Sequence, residues 1–165
     1  MKGITPHSLA IIFAVLALPA TAEIESIQNA GLYLGAKAGK IAIDVAEIED
    51  PSAKGLLLGY NFGHIAVELE RNAADEADYG GARPLDYDTT AVYAAYRSSG
   101  VAYVKLRGGL LRETLNDNQG STVSENGLSA GVGGGIRLSN LAIEAEFTVL
   151  DQDANLFSLG LIFNF

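Results

Sequence analysis

Cysteine and tryptophan are absent from this chain, histidine occurs twice, and 11 basic residues stand against 20 acidic ones. Without cysteine there is no disulfide scaffold, no thiolate zinc site and no thiol nucleophile. A formal net charge of −9 argues against a nucleic-acid surface, which needs clustered lysine and arginine. Disorder is excluded as well, because 48% of the side chains are hydrophobic, enough apolar surface to offset the entropy of ordering. At 165 residues the length suits a single domain. Long apolar runs are missing too, except at the N-terminus.

That one run, Leu9 to Ala20, follows Lys2 and ends in Ala20-Thr21-Ala22 before Glu23. A charged start, a short apolar middle and a small-residue A-x-A site describe a secretory signal peptide. The run is shorter than the ~20 residues that cross a bilayer as a helix. Residues 1–22 are therefore expected to be removed between Ala22 and Glu23, leaving a domain over 23–165. Losing Lys2 and no acid takes the net charge from −9 to −10. An exported chain without cysteine forgoes oxidative stapling.

After Ala22 no window keeps a helical period over three turns, whereas period-two alternation recurs eight times. The stretches are Leu32 to Ile43, Gly55 to Phe62, Ile65 to Glu70, Val92 to Arg97, Val104 to Leu110, Leu128 to Leu138, Ile143 to Val149 and Phe157 to Phe165. Gly63-His64, Ser98-Ser99-Gly100 and Ser139-Asn140 read as tight hairpin turns. The other connections, roughly 44–54, 72–89, 113–127 and 151–154, mostly exceed hairpin length. An even number of antiparallel strands with short turns at one end and long loops at the other predicts an all-β, eight-stranded up-and-down transmembrane β-barrel.

Alternation alone does not say which face meets water. In a soluble carrier of an apolar ligand, in the manner of a lipocalin, the apolar face would point inward; in a membrane barrel it points to lipid. Three features favour the second. The polar face mixes glycine with Lys37, Lys105, Arg107 and Arg137 against Glu68, Glu70, Glu144 and Glu146, a balance suited to an enclosed lumen. Tyr60, Phe62, Tyr96, Phe163 and Phe165 gather near the short turns, as an interfacial aromatic girdle would. The last apolar position is Phe165 itself.

The segment Gly131 to Phe165, together with LGYNFGHIAVELE (58–70) and LYLGAKAGK (32–40), resembles the OmpA/OmpX-like small outer-membrane barrels. The resemblance implies that Phe157, Leu159, Leu161, Phe163 and Phe165 form a C-terminal signal read by the barrel-assembly machinery. It also implies that inward residues at Lys37, Glu68, Lys105 and Glu144 form salt bridges plugging the lumen. Two departures stand out: an outward face rich in alanine (Ala36, Ala38, Ala94, Ala130, Ala145), and no tryptophan in the girdle. The peptidoglycan-binding half of long family members is not expected after Phe165.

Catalysis has little to work with. His7 leaves with the signal and His64 sits in a turn, so the histidines used by barrel lipases and proteases of similar architecture are missing. No catalytic residue, cofactor or metal site is expected. Gly131-x-Gly133 lacks the following helix that a phosphate loop requires. These glycines could instead leave room beside the sixth strand, which keeps a small ion or solute pore open as an alternative to the plug. Of the 20 acids, 14 fall in the predicted long loops, namely Asp44, Glu47, Glu49, Asp50, Asp75, Glu76, Asp78, Asp86, Asp88, Glu113, Asp117, Glu125, Asp151 and Asp153. A solvated repulsive surface is the plain reading. The sharper one has them sharing divalent cations with the phosphates of lipopolysaccharide. The expected product is a monomeric, non-enzymatic barrel of the outer membrane.

Overall fold

The computed structural model describes residues 30–43, 51–74, 85–117, 122–151 and 154–165, and every regular element among them is a strand. These are β1 (Gly31–Ile43), β2 (Ser52–Asn61), β3 (Ile65–Ala74), β4 (Leu85–Arg97), β5 (Ala102–Asp117), β6 (Thr122–Leu138), β7 (Leu141–Asp151) and β8 (Ala154–Asn164). The predicted signal peptide, its Ala22–Glu23 cleavage point and the acids at 44, 47, 49, 50, 75, 76, 78 and 153 lie outside the described residues.

Successive side chains of a strand point to opposite faces. In β2 they are exposed and buried strictly in turn, and β3 follows the same alternation. Each strand pairs antiparallel with its successor, and β8 returns to β1, with Phe163 opposite Leu34. Closure removes the free edges that would otherwise expose unpaired backbone groups, which hydrocarbon does not tolerate.

The faces are those of a membrane barrel. Leu56, Leu110 and Leu128 are 71%, 68% and 81% exposed, while Glu68 and Lys105 are 0% and 2%. The lipocalin-like alternative needed these faces exchanged, and it fails on this point.

Followed through its partners, the outward row Leu32–Tyr60–Val67–Ala94–Gly108–Ala130–Val149–Asn155 comes back to β1 at Ala42. From 32 to 42 is a climb of ten residues toward the long-loop end in one circuit. Stagger and strand tilt are linked in any closed barrel. Points at equal height therefore drop a little more than one residue from each strand to the next.

Gly63 (φ 98°) and Gly100 (φ 102°) take left-handed backbone in two of the short turns, a conformation glycine adopts without a Cβ clash. Phe62 N–H donates to Ile65 O at 2.7 Å and Ser98 N–H to Val104 O at 3.0 Å, closing those hairpins.

At the other end the strands outrun the sequence reading. β3 and β4 together cover most of the flanks of predicted loop 72–89, and β5 and β6 do the same for 113–127. Asp86, Asp88, Glu113, Asp117, Glu125 and Asp151 thus lie on strands rather than in loops. Alternation fades there because neither face of a strand beyond the bilayer meets lipid, while backbone pairing continues without it.

Candidate functional site

The lumen is built from one inward pattern repeated on three strands. Read from the short-turn end, β5 presents Tyr103, Lys105, Arg107 and Leu111, with Gly109 between the last two. β7 presents Ala142, Glu144, Glu146, Thr148 and Leu150, and β1 presents Tyr33, Lys37 and Ile41 with glycines between. Register aligns these into three layers. Tyr33, Leu57, Ala66, Ala95, Tyr103, Ala142 and Ile162 form one buried apolar cluster, and Ile41, Ala53, Ala91, Tyr93, Leu111, Leu150 and Leu156 form another. The charges lie between them.

Four cations and four carboxylates make that middle layer a continuous web. Arg97 donates from Nε to Glu144 Oε1 at 2.7 Å and from Nη2 to Glu68 Oε1 at 2.6 Å. Lys105 Nζ lies 3.0 Å from Glu68, 3.1 Å from Glu144 and 3.0 Å from Glu146. Arg107 pairs with Glu70 and, at 2.7 Å, with Glu146. Lys37 Nζ closes the web on Glu70 at 2.7 Å and Glu146 at 3.2 Å. Tyr33 and Tyr103 add hydroxyl donors to Glu68 at 2.8 Å and Glu144 at 2.6 Å. Charges this deep need such partners, since several kcal/mol per ion are lost with the water they give up.

Two assignments made from the sequence change here. Arg97, absent from the charges read on the polar face, belongs to the web; the parity it shares with the buried Tyr93 and Ala95 was the signal. Arg137 turns elsewhere. It donates to the carbonyls of Ser98 and Gly100 in the β4–β5 turn, the first at 3.3 Å, and its guanidinium stacks 3.8 Å from the centre of the Tyr103 ring. It sits near the short-turn end of β6, opposite Ala142 and beyond the Glu144 level, so the turn carbonyls are its natural acceptors.

The glycines of β6 leave no channel. A Cβ at Gly135 would come within 2.6 Å of Tyr103 Oη, and one at Gly131 within 2.9 Å of Thr148 Oγ1 and 3.1 Å of Arg107 Nε. At Gly133 the space is taken by the Ala145 carbonyl and, at 3.2 Å, Glu146 Cβ. The expectation of unusual room beside this strand is therefore overturned: larger neighbours lie across each glycine.

A recurrent unit follows from this. Tyr33 faces Gly59 across β1–β2, Tyr93 faces Gly109 across β4–β5, and Tyr103 faces Gly135 across β5–β6. Each ring carries a guanidinium: Arg97 at 5.0 Å, Arg107 at 4.0 Å and Arg137 at 3.8 Å from the respective centroid. At Gly59 and Gly135 the ring covers the glycine and restores packing that glycine lacks, whereas at Gly109 the space is taken by the Val92 carbonyl. The cation above each ring gains an attractive face away from bulk water.

Two cavities in the lumen hold about 10 Å³ each, one lined by Lys37, Glu70, Lys105 and Glu146, the other by Tyr33, Arg97, Tyr103 and Arg137. That is about the space of one water molecule. His64 lies at the short-turn rim, with Nδ1 3.1 Å from the Arg97 carbonyl, which can only accept. Phe157, Leu159, Leu161, Phe163 and Phe165 all face outward, and the Phe163 and Phe165 rings meet edge-on at 5.1 Å. Tyr60 and Phe62 form a similar pair at 4.8 Å.

A search of curated protein sequences gives no match. Solved structures do match in fold. Neisserial surface protein A superposes with a TM-score of 0.61 at 15% identity, over 82% of this chain and 97% of that one. The N-terminal β-barrel domain of Pseudomonas aeruginosa OprF gives 0.56 at 17%, covering 82% and 99%. Ail, the attachment invasion locus protein of Yersinia pestis, gives 0.53 at 16%, covering 82% and 95%. At these identities the likeness is one of architecture. The family model described as outer membrane protein beta-barrel domain matches residues 8–165. With eight closed strands, an apolar exterior and a charged interior already in place, the chain belongs to the outer membrane protein β-barrel family.

Proposed function

We propose that the protein is a non-enzymatic barrel that reaches the bacterial outer membrane by export through the periplasm and acts there as a structural element and a platform for its acidic extracellular loops. The observation that carries this reading is the sealed lumen. Two apolar layers enclose a web of paired charges, and the two cavities beside it hold about 10 Å³ each. An ion entering would have to displace a buried salt bridge and cross both apolar layers, each step unfavourable without water. The outward row from Phe157 to Phe165 serves in this reading as the segment recognised during assembly.

Planar-bilayer recording tests it. The folded protein is expected to give no steady conductance of porin size, and regular open channels would favour the pore reading instead. Membrane fractionation with gels of boiled and unboiled samples is expected to show outer-membrane localisation and a heat-dependent mobility shift. A freely soluble product would remove the membrane placement.

A further inference from the structure

The chain repeats itself across half the barrel. Residues 55–70 (GLLLGYNFGHIAVELE) and 131–146 (GVGGGIRLSNLAIEAE) align without a gap. Gly55, Gly59, Ala66, Glu68 and Glu70 recur there as Gly131, Gly135, Ala142, Glu144 and Glu146. The first segment covers the end of β2 and the start of β3, the second the end of β6 and the start of β7. On the preceding strands, Tyr33 and Lys37 of β1 have the spacing of Tyr103 and Arg107 of β5. Four strands are half of the circuit, so a half-turn about the barrel axis relates the two sets. Their contacts repeat as well. Tyr33 donates to Glu68 at 2.8 Å and Tyr103 to Glu144 at 2.6 Å. Lys37 lies 2.7 Å from Glu70, and Arg107 lies 2.7 Å from Glu146. Lys37 is opposite Gly55 and Arg107 opposite Gly131, so each cation has a glycine beside it.

Two inward cations of the second set have no counterpart in the first. Lys105 matches Gly35, and Arg137 matches Asn61. Lys105 is opposite Gly133, whereas Gly35 is opposite Leu57, so the bulk changes strands but the charge is not replaced. A Cβ at Gly35 would fall within 2.5 Å of Ile162 Cδ1 and 3.3 Å of Leu57 Cβ. Apolar side chains thus occupy the place a lysine stem would need.

The two small cavities of the lumen lie at these two places, one lined by Gly35 and the other by Asn61. Around Lys105 Nζ stand Glu68, Glu144 and Glu146. The half-turn carries these three onto Glu144, Glu68 and Glu70, and the first cavity touches both Glu70 and Glu144. At the second, Asn61 is 3% exposed and its Oδ1 has no hydrogen-bond partner among the described residues. Tyr33, Arg97 and Tyr103 line the same space. A buried oxygen without a donor is costly, which calls for a partner at this point.

We infer that each cavity binds one water molecule, standing where the other half of the barrel has a cationic head. Each has room for about one water, and each is walled by the several polar groups that hold a buried water in place. A metal or ammonium ion suits the first cavity less well. The web around it already balances, with Lys37, Arg97, Lys105 and Arg107 against Glu68, Glu70, Glu144 and Glu146. Water brings donors to the carboxylates at the first site and to Asn61 Oδ1 at the second, and it adds no charge. Both sites presuppose the sealed lumen proposed above.

Nuclear magnetic resonance of the full chain folded in phospholipid nanodiscs tests this through cross-relaxation between water and protein. Long-lived water contacts are expected at Gly35 and Gly160 beside the first cavity and at the Asn61 side-chain amide beside the second. Contacts missing from a site would overturn the inference for that site and leave the lumen sealed. Fast-exchanging water along the whole lumen would overturn it together with the sealed-lumen reading. Position 160, which lines the first cavity, supplies an independent measurement. A Cβ there meets Lys37 Cβ at 3.4 Å and Ala36 O at 3.5 Å, ordinary contact, so serine and alanine both fit. In Gly160→Ser the hydroxyl takes over hydrogen bonds of the displaced water, whereas the methyl of Gly160→Ala displaces it and offers none. Urea unfolding in phospholipid vesicles is expected to give Gly160→Ser a folding constant roughly tenfold larger than that of Gly160→Ala, the worth of a hydrogen bond to a charged group. Equal stability of the two, or a more stable alanine variant that fills a dry void, would overturn the first site.

Discussion

Glu144→Ala is expected to destabilise the folded barrel by about 3–5 kcal/mol, the cost typical of removing one member of a buried ionic group. Glu144 accepts from Arg97 at 2.7 Å and from Tyr103 at 2.6 Å, and it lies 3.1 Å from Lys105. The variant leaves Lys105 beside Arg97 with one carboxylate fewer to separate them, and returns no water to the site. Urea unfolding in phospholipid vesicles, followed by the gel shift between folded and unfolded forms, measures the difference. The same carboxylate deletion at the surface pair, Asp88→Ala beside Arg71, should change stability by less than about 1 kcal/mol, because solvent replaces the lost partner. A buried web is not in itself a source of net stability, and exchanging a whole charged set for well-packed apolar residues can be neutral or better. The discriminating comparison is therefore Glu144→Ala alone against a variant that also replaces Arg97 and Lys105 with methionine. The single change should be the more damaging of the two. A Glu144→Ala barrel within 1 kcal/mol of the parent would mean that the layer is hydrated and the lumen less sealed than its geometry indicates.

The fold was legible because lipid imposes a strict alternation on every strand it touches. Spacing alone put Leu56, Leu58, Tyr60 and Phe62 on one face, the balanced charges of the other face turned them outward, and the structure has them exposed. Beyond the bilayer that constraint lapses, which is why the extensions of β3 to β6 were read as loops. In the interior, parity located the charges but not their partners. Arg97 and Arg137 carry the same charge at the same kind of position, and which one joins the web depends on the barrel's stagger. Residues far apart in sequence, such as Arg97 and Glu144, meet only after closure. The β6 glycines misled for a related reason. Without a Cβ they look like empty space, whereas the space belongs to a tyrosine, an arginine or a backbone carbonyl on the neighbouring strand.

Tyr33 and Gly59 are expected to behave as one unit. Tyr33→Ala should destabilise the barrel by about 3–5 kcal/mol, the range for truncating a large buried aromatic. The ring is fully buried, its hydroxyl donates to Glu68 at 2.8 Å and accepts from Arg97 at 3.1 Å, and its face carries the Arg97 guanidinium. Gly59→Leu should cost about 1–3 kcal/mol by overpacking, since its new Cβ would fall on the Tyr33 ring and drive the hydroxyl off both partners. The double variant separates this account from simple loss of two good residues. With Tyr33 shortened, a leucine at position 59 has the vacated volume to occupy, and as the directly opposed cross-strand residue it reaches that space. Double-mutant coupling should then be favourable by about 1–3 kcal/mol, so that Tyr33→Ala/Gly59→Leu is more stable than the sum of the single losses predicts. Strict additivity would show that the glycine is there for backbone reasons and that the ring merely lies nearby. The pair at Tyr103 and Gly135 should show less rescue, because a Cβ there meets the Ile143 backbone carbonyl at 2.6 Å as well as the phenol oxygen, and shortening the tyrosine relieves only the second contact.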